Sequence, residues 1–210
     1  MTERKLEIKK RGRTHRDEKP VYLVIAEGKN KTETFYLSNF QKQGKAYSLQ
    51  FAKAGSKTDS DSLYKTMIQK WKELELSSEK GDLGFIVLDI DSDPQKADKV
   101  LKLIQKNRNQ SIRFIVSNPT FEIWILMHFK YTTRYFADGD AVINELKRHI
   151  PDYEKNRDCF LACVDRLQDA VSNSAKLEKH FEGCSWPSVE CNPRTDMGML
   201  ITHLFNANEL

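Results

Sequence analysis

The sequence predicts an α/β fold in which a mostly parallel four-stranded sheet lies between helices and carries a helical appendage at its C-terminal end. Two observations predict it. Short apolar runs alternate with helical patterns over the first 130 residues, as in parallel sheets covered by helices on both faces. After residue 138 only helical patterns follow.

The first strand is predicted over residues 21–26, where the run VYLVIA is continuously apolar, as in a strand buried on both faces. Glu27 and Gly28 end this strand. In the helix that follows, Asn30 is a candidate N-cap and Glu33, three positions later, is a candidate capping-box partner. The first strand therefore brings a glutamate to the carboxyl edge of the sheet.

The second strand is predicted at residues 47–51, where Tyr, Leu and Phe alternate with smaller or polar residues. A helix capped by Asp59 or Ser60 then leads to the third strand, the apolar run FIVL at residues 85–88. Two more parallel strands are thus expected beside the first.

Asp93 and Pro94 begin the next helix, with the aspartate as N-cap and the proline at the first helical position. The fourth strand is predicted at residues 112–116. Asn118-Pro119 then turns the chain into a helix from about residue 121 to residue 129.

These elements divide the chain into a basic arm at residues 1–19, an α/β domain at 20–135 and a helical region at 136–210 that packs on the sheet. The helices expected in the last part span about residues 139–149, 154–171, 174–182 and 195–206.

The net charge of +4 is concentrated in the first 20 residues, which hold eight Lys and Arg but four acids. Such an arm is compatible with nucleic-acid contact and also with a solvated leader. No apolar run approaches the roughly 20 residues that a membrane helix needs, and the N-terminus lacks the apolar segment of a secretory signal. We therefore expect a cytoplasmic protein that does not enter a membrane.

Acidic residues follow two of the predicted strands at the point where each strand ends. Glu27 follows the first strand, and Asp89 and Asp91 follow the third, spaced so that both side chains point the same way. Asp93 and Glu122 lie just beyond strand ends at the same edge. Because carboxylates packed together resist ionising, a divalent cation would relieve their repulsion. Carboxylate ligands favour Mg²⁺ or Mn²⁺ over zinc.

Several of these acids also have a purely structural interpretation. Asp93 is well placed to cap its helix, and Glu33 to complete a capping box. Glu122 could simply complement the N-terminus of its helix. These alternatives stay open at the level of the sequence.

Candidate substrate contacts lie at the same edge. Lys53 and Lys57 follow the second strand and could hold a phosphate, although a solvated loop is the alternative. The segment GSKT at residues 55–58 resembles the end of a phosphate-binding loop, but its upstream glycine is missing, which argues against ATP binding. Asn118, at the end of the fourth strand, completes the predicted substrate-binding set.

The strand ending in Glu27-Gly28 and the strand ending in the D-I-D of residues 89–91 resemble the Toprim fold of topoisomerases, primases and OLD-type nucleases. Three further segments make the resemblance more specific: EGKNKTE at 27–33, SNPxFExW at 117–124 and NPxT at 192–195. With them the chain resembles the RloB-like family, a Toprim-related group, from about residue 20 to residue 204.

The resemblance implies a Mg²⁺- or Mn²⁺-dependent nuclease acting on DNA or RNA in bacterial anti-phage defence and abortive infection, often beside an ATPase partner. It implies that Glu27, Asp89 and Asp91 hold the metal, and Glu122 is the match for a further catalytic acid. Self-association stays open. The rival hypothesis is a non-catalytic, metal-binding module that binds nucleic acid or senses a partner.

Overall fold

The computed structural model describes residues 19–27, 32–41, 46–55 and 58–209, with side chains up to residue 205. Most of the predicted basic arm, and Lys57, lie outside the described residues. At the centre of the structure is a five-stranded sheet with the order β2-β1-β3-β4-β5. Its strands are β1 (Val21–Ala26), β2 (Ser48–Phe51), β3 (Leu83–Asp89), β4 (Ile112–Asn118) and β5 (Arg194–Thr195).

The predicted α/β class and the mostly parallel sheet are confirmed. Strand β1 pairs in parallel with both β2 and β3, and β3 pairs in parallel with β4. The strand count was wrong, because β5 adds a fifth strand antiparallel to β4 where only a helix was expected. Only two residue pairs form this ladder, and the Ser117 and Thr195 hydroxyls lie 2.9 Å apart across it. So short a strand has no periodicity of its own that a sequence could show.

Eight α-helices surround the sheet in the described chain: α1 (Thr32–Ser38), α2 (Ser60–Glu73), α3 (Pro94–Lys106), α4 (Glu122–Met127), α5 (Gly139–Leu146), α6 (Phe160–Cys163), α7 (Leu167–His180) and α8 (Met197–Glu209). Helices α2 and α3 cover one face through a core that includes Leu63, Met67 and Val100. The other helices share the core on the opposite face, where Tyr36 and Trp124 are fully buried. None of the helices in the described ranges is long and apolar enough to cross a membrane.

The predicted N-terminus of α3 is confirmed. Asp93 caps α3, accepting a hydrogen bond from the backbone N–H of Gln95 at 2.8 Å, and Pro94 takes the first helical position. The helices predicted at 154–171 and 174–182 were wrong. One helix, α7, runs through the predicted break between residues 171 and 174, and residues 151–159 are irregular, with a positive φ of 66° at Asn156. This irregular segment turns back toward α1, because the Asn156 N–H donates to Thr32 Oγ1 at 2.9 Å.

The sheet order creates a crevice at the carboxyl ends of β1 and β3. From β1 the chain goes to β2 on one side and then returns to β3 on the other side. Helix α1 packs on one face of the sheet, whereas α2 and α3 pack on the other face. Such a reversal of strand order is where open α/β sheets bind their ligands.

Candidate functional site

Four carboxylates from four different elements meet at this crevice, and we call them the acidic cluster: Glu27, Glu33, Asp89 and Glu122. Glu27 directly follows β1 and Asp89 is the last residue of β3. Glu33 and Glu122 lie in the first turns of α1 and α4, two helices on the same face of the sheet. Two strand ends and two helix starts therefore bring their carboxylates to the same crevice.

Hydrogen bonds link three members of the cluster. Glu27 Oε2 accepts the backbone N–H of Asp89 at 3.2 Å. The Thr120 hydroxyl lies 3.1 Å from Asp89 Oδ2 and also within hydrogen-bond distance of Glu122 Oε2. A hydroxyl has one hydrogen to donate, so Thr120 satisfies only one of these two carboxylates at a time. Asp89 and Glu122 therefore compete for the hydrogen of Thr120.

Tyr153 and Lys155 approach Glu122 from the irregular segment before α6. The Tyr153 hydroxyl donates to Glu122 Oε1 at 3.0 Å, and Lys155 Nζ lies 4.0 Å from the same oxygen. Burial of the tyrosine and the charge of Glu122 raise the pKa of Tyr153, so its hydroxyl keeps its proton. Sequence interpretation missed both residues, because Lys155 lies in a stretch interpreted as regular helix and Tyr153 directly precedes it.

Burial and mutual repulsion disfavour ionisation in the cluster. Burial of the side chain, together with the charges of Glu122 and Glu27, raises the pKa of Glu33 to about 7. Burial, followed by the charges of Glu33 and Glu122, raises the pKa of Asp89 well above its usual range. Burial also raises the pKa of Glu27, against the opposing charge of Lys96. A cation or protons would therefore be bound favourably here.

Glu33 is the least satisfied of the four. Its side chain is only 9% exposed, and its Oε2 is buried without a hydrogen-bond partner among the described residues. The sequence interpretation made it a capping-box partner of Asn30, which lies outside the described residues. Its position six residues after Glu27, in the first turn of the next helix, is the signal that could have assigned it to the site.

Lys96 links Glu27 to Asp91. Its Nζ lies 2.7 Å from Glu27 Oε1 and 2.7 Å from Asp91 Oδ2, and its side chain is 20% exposed. The sequence interpretation missed this residue. The signal for it is a lysine in the first turn of α3, close to a strand-end acidic pair and at the helix end that favours acids.

The predicted metal ligands Glu27, Asp89 and Asp91 do come together, but Asp89 and Asp91 contact different partners. Asp91 lies beyond the end of β3 with a φ of 51°, so the alternation of a strand no longer directs its side chain. It is 61% exposed and faces Lys96, whereas Asp89 faces Thr120. Asp93 is exposed and occupied as the cap of α3.

Two predicted substrate contacts have clear positions. Asn118 is completely buried, and its Oδ1 accepts from the Ser92 N–H at 3.2 Å. Its amide N–H groups donate to the carbonyls of Ser188, Val189 and Cys191. It fastens the loop after β3 to the chain before β5, so it is a structural residue and is not open to a substrate. Lys53 is exposed just beyond β2, at the same edge as the cluster.

The atoms of the acidic cluster that could ligate a metal are all oxygens, the ligand type that Mg²⁺ and Mn²⁺ prefer. Within the described ranges, no group of three or more His, Cys, Asp or Glu side chains is arranged so that it could hold a metal ion. Glu27 faces Lys96, whereas Asp89 and Glu122 face Thr120, instead of one shared point.

Comparison with protein families identifies a relationship that covers most of the chain. The family model described as RloB-like protein matches residues 22–204, a span that includes all four residues of the acidic cluster and runs from β1 into α8. No curated protein and no solved structure matches the chain.

Proposed function

The chain belongs to the RloB-like family, and we propose that it is a Mg²⁺- or Mn²⁺-dependent nuclease of the Toprim type that hydrolyses phosphodiester bonds in DNA or RNA. The observation that carries this proposal is the acidic cluster itself. Four carboxylates share the crevice at the reversal of strand order, and one of them has a buried oxygen without a hydrogen-bond partner among the residues that the structure describes. A protein that needed these acids only for stability would supply their donors itself.

The carboxylate oxygens of the acidic cluster are suitable ligands for a divalent cation. Glu27, Glu33, Asp89 and Glu122 would hold it, with Asp91 at the exposed side. The cation would polarise a phosphoryl oxygen and lower the pKa of a water molecule that attacks phosphorus. Ligation would also give Glu33 Oε2 a partner, which the described residues do not supply.

The residues around the cluster suit an anionic substrate. Lys155 is 37% exposed beside Glu122, and Lys53 is exposed at the end of β2. Both ammonium groups can neutralise phosphates of a nucleic acid that crosses the carboxyl edge of the sheet. Lys57 and the basic arm would extend this contact. Tyr153 keeps its proton and orients Glu122 through its hydrogen bond.

The biological setting that we propose follows from the family resemblance. It is anti-phage defence in the bacterial cytoplasm, with an ATPase as partner protein. The site itself is compatible with regulation by such a partner, since Lys96 and Thr120 engage three of its carboxylates from within the chain.

One observation favours a second candidate, a non-catalytic module that binds nucleic acid or senses a partner. Glu27 and Asp91 already have a cation in Lys96, and the described residues contain no group arranged to hold a metal. In that case the acids and Lys96 form a structural network.

A cleavage assay separates the two candidates. Single- and double-stranded DNA and RNA are incubated with the protein in Mg²⁺, in Mn²⁺ or in EDTA, with and without the proposed ATPase partner. We expect metal-dependent cleavage that falls at least about 100-fold in Asp89→Asn, since even outer-shell partners of a metal cost up to that much. The matched control is Asp98→Asn, an exposed aspartate on α3 that pairs with Lys102. Absence of cleavage under all these conditions would support the non-catalytic module.

A further inference from the structure

We propose that Lys96 is a built-in counterion that competes with the divalent cation for Glu27 and Asp91, and so sets the cation concentration at which the site fills. The inference rests on the proposed function, because it assigns these carboxylates to a cation site. Its basis is the position of one ammonium group between two predicted ligands.

The contacts of Lys96 are those of a bound cation. Its Nζ lies at 2.7 Å from one oxygen of each carboxylate, which is the distance of a charge-assisted hydrogen bond. The side chains of Lys96 and Glu27 are about one-fifth exposed, so water screens their ion pair only in part. The two acids therefore repel each other less than they would without Lys96.

The location of Lys96 makes this arrangement easy to reverse. It is the third residue of α3, a helix of 13 residues, and lies in the first turn, where the helix macrodipole disfavours a positive charge. The two carboxylates hold the ammonium there. Once a divalent cation shares them, both the cation and the helix end repel Lys96. Its flexible four-carbon side chain can then turn outward to solvent or to a substrate phosphate.

Competition of this kind has a direct signature. A divalent cation that binds Glu27 and Asp91 must first displace the ammonium, so removal of the lysine charge should tighten cation binding. An organising role predicts the reverse, because loss of Lys96 would then disorder the ligands and weaken binding. The sign of the change distinguishes the two roles without any measurement of activity.

The test is a titration of Mn²⁺ alone, followed by the electron paramagnetic resonance signal of free Mn²⁺, on the full chain and its variants. We expect Lys96→Met to bind Mn²⁺ about fivefold more tightly than the parent, because two partly exposed ion pairs no longer have to be broken. Without metal this variant should melt about 2–4 °C lower, since its carboxylates are no longer neutralised. Lys96→Arg keeps the charge and should stay close to the parental affinity.

The matched control is Lys102→Met on the same helix, whose lysine pairs at 2.6 Å with exposed Asp98. It removes the same charge from α3 and should leave Mn²⁺ affinity unchanged. Should Lys96→Met not fold, Lys96→Gln gives a second neutral side chain for the same titration. Equal or weaker Mn²⁺ binding by the neutral Lys96 variants, with parental binding intact, would overturn the inference and leave the metal site standing. Absence of Mn²⁺ binding in the parent and in every variant would overturn the proposed function as well.

Discussion

Carboxylates withdrawn from solvent lie on both sides of β4, and the two sides are built differently. Toward β3 is the acidic cluster, in which Glu33 has a pKa raised to about 7 and an oxygen that no described residue hydrogen-bonds. Toward β5 is Asp196, whose pKa is also raised by burial, to about 6. Its carboxylate accepts the Trp186 indole N–H at 2.9 Å and the Val116 backbone N–H at 3.2 Å.

The comparison shows that a raised pKa does not by itself identify a functional acid. Burial is the largest cause of the raised pKa in both places, but Asp196 has neutral donors, whereas Glu33 Oε2 has none within the described part of the chain. A structural carboxylate is one whose donors belong to the chain. A carboxylate that lacks them is a candidate for a ligand from outside. The following predictions test this distinction, beginning with the largest effect.

Glu122→Gln should remove function and preserve the fold. The glutamine keeps the volume and one acceptor oxygen for Tyr153, so melting without metal should stay close to the parent. Loss of the charge should abolish the stabilisation by Mn²⁺ and reduce metal-dependent cleavage at least about 100-fold. Thermal melting with and without Mn²⁺, together with the cleavage assay, measures both. A variant that keeps parental activity and Mn²⁺ response would show that Glu122 is an ordinary helix-start acid.

Asp196→Ala should destabilise the fold and leave the response to metal intact. It leaves the Val116 and Trp186 N–H groups without their acceptor, and two such groups cost about 3 kcal/mol in the free energy of unfolding. Urea unfolding followed by tryptophan fluorescence measures this change. The Mn²⁺ response of the folded fraction should remain. An unchanged midpoint would mean that water replaces the lost acceptor and that Asp196 is not a structural counterpart of the cluster.

The same contrast explains how much of the fold could be predicted from the sequence. Strands β1 to β4 and the cap at Asp93 depend on local signals, namely apolar runs and a capping aspartate before proline. Strand β5 has no local signal, because Arg194–Thr195 becomes a strand only through its pairing with β4. The segment before α6 contains helix-forming residues, but its contacts with Thr32 and Glu122 hold it in an irregular path.

The candidate site, like the fold, could be predicted from the sequence only where a local signal exists. Strand-end acids could be assigned because the carboxyl ends of parallel strands meet at one edge. Glu33 could not, since a capping role explained it equally well. Lys96 could not either, because the direction of a side chain in the first turn of a helix depends on what lies across the crevice. Asn118 was assigned to the substrate for its position alone, and its burial excludes that role.

A pH series on Asp196→Asn tests the cause of the shift at Asp196. A carboxyl whose pKa is about 6 in the fold and about 3.9 unfolded binds its proton more tightly when folded. Its contribution to stability is therefore complete below pH 4 and is lost as the pH rises to about 6. Between pH 4 and 6.5 the parent should lose roughly 2 kcal/mol relative to the variant, as measured by urea unfolding. If the free energy of unfolding of the two proteins changes with pH in the same way, the hydrogen-bond donors of Asp196 offset the effect of burial on its pKa.

Glu33→Gln should give the smallest change in the free energy of unfolding, and the sign of that change is the most informative result. At pH 8 most of the Glu33 side chains are charged, and the charge is buried near Glu122 and Glu27. Replacing it by a neutral amide of the same shape removes a desolvated charge and two repulsions, whereas an amide N–H can donate to a neighbouring carboxylate. We expect the metal-free protein to become about 1 kcal/mol more stable, with a smaller difference below pH 7, where protonation already neutralises the parent. In Mn²⁺ the variant should instead be less stable than the parent, because it lacks a ligand.

Glu190→Gln, at an exposed glutamate, is the control. It should change the free energy of unfolding neither without metal nor in Mn²⁺. If Glu33→Gln destabilises the metal-free protein as Asp196→Ala does, the acidic cluster is a structural network and the distinction between the two sides of β4 fails.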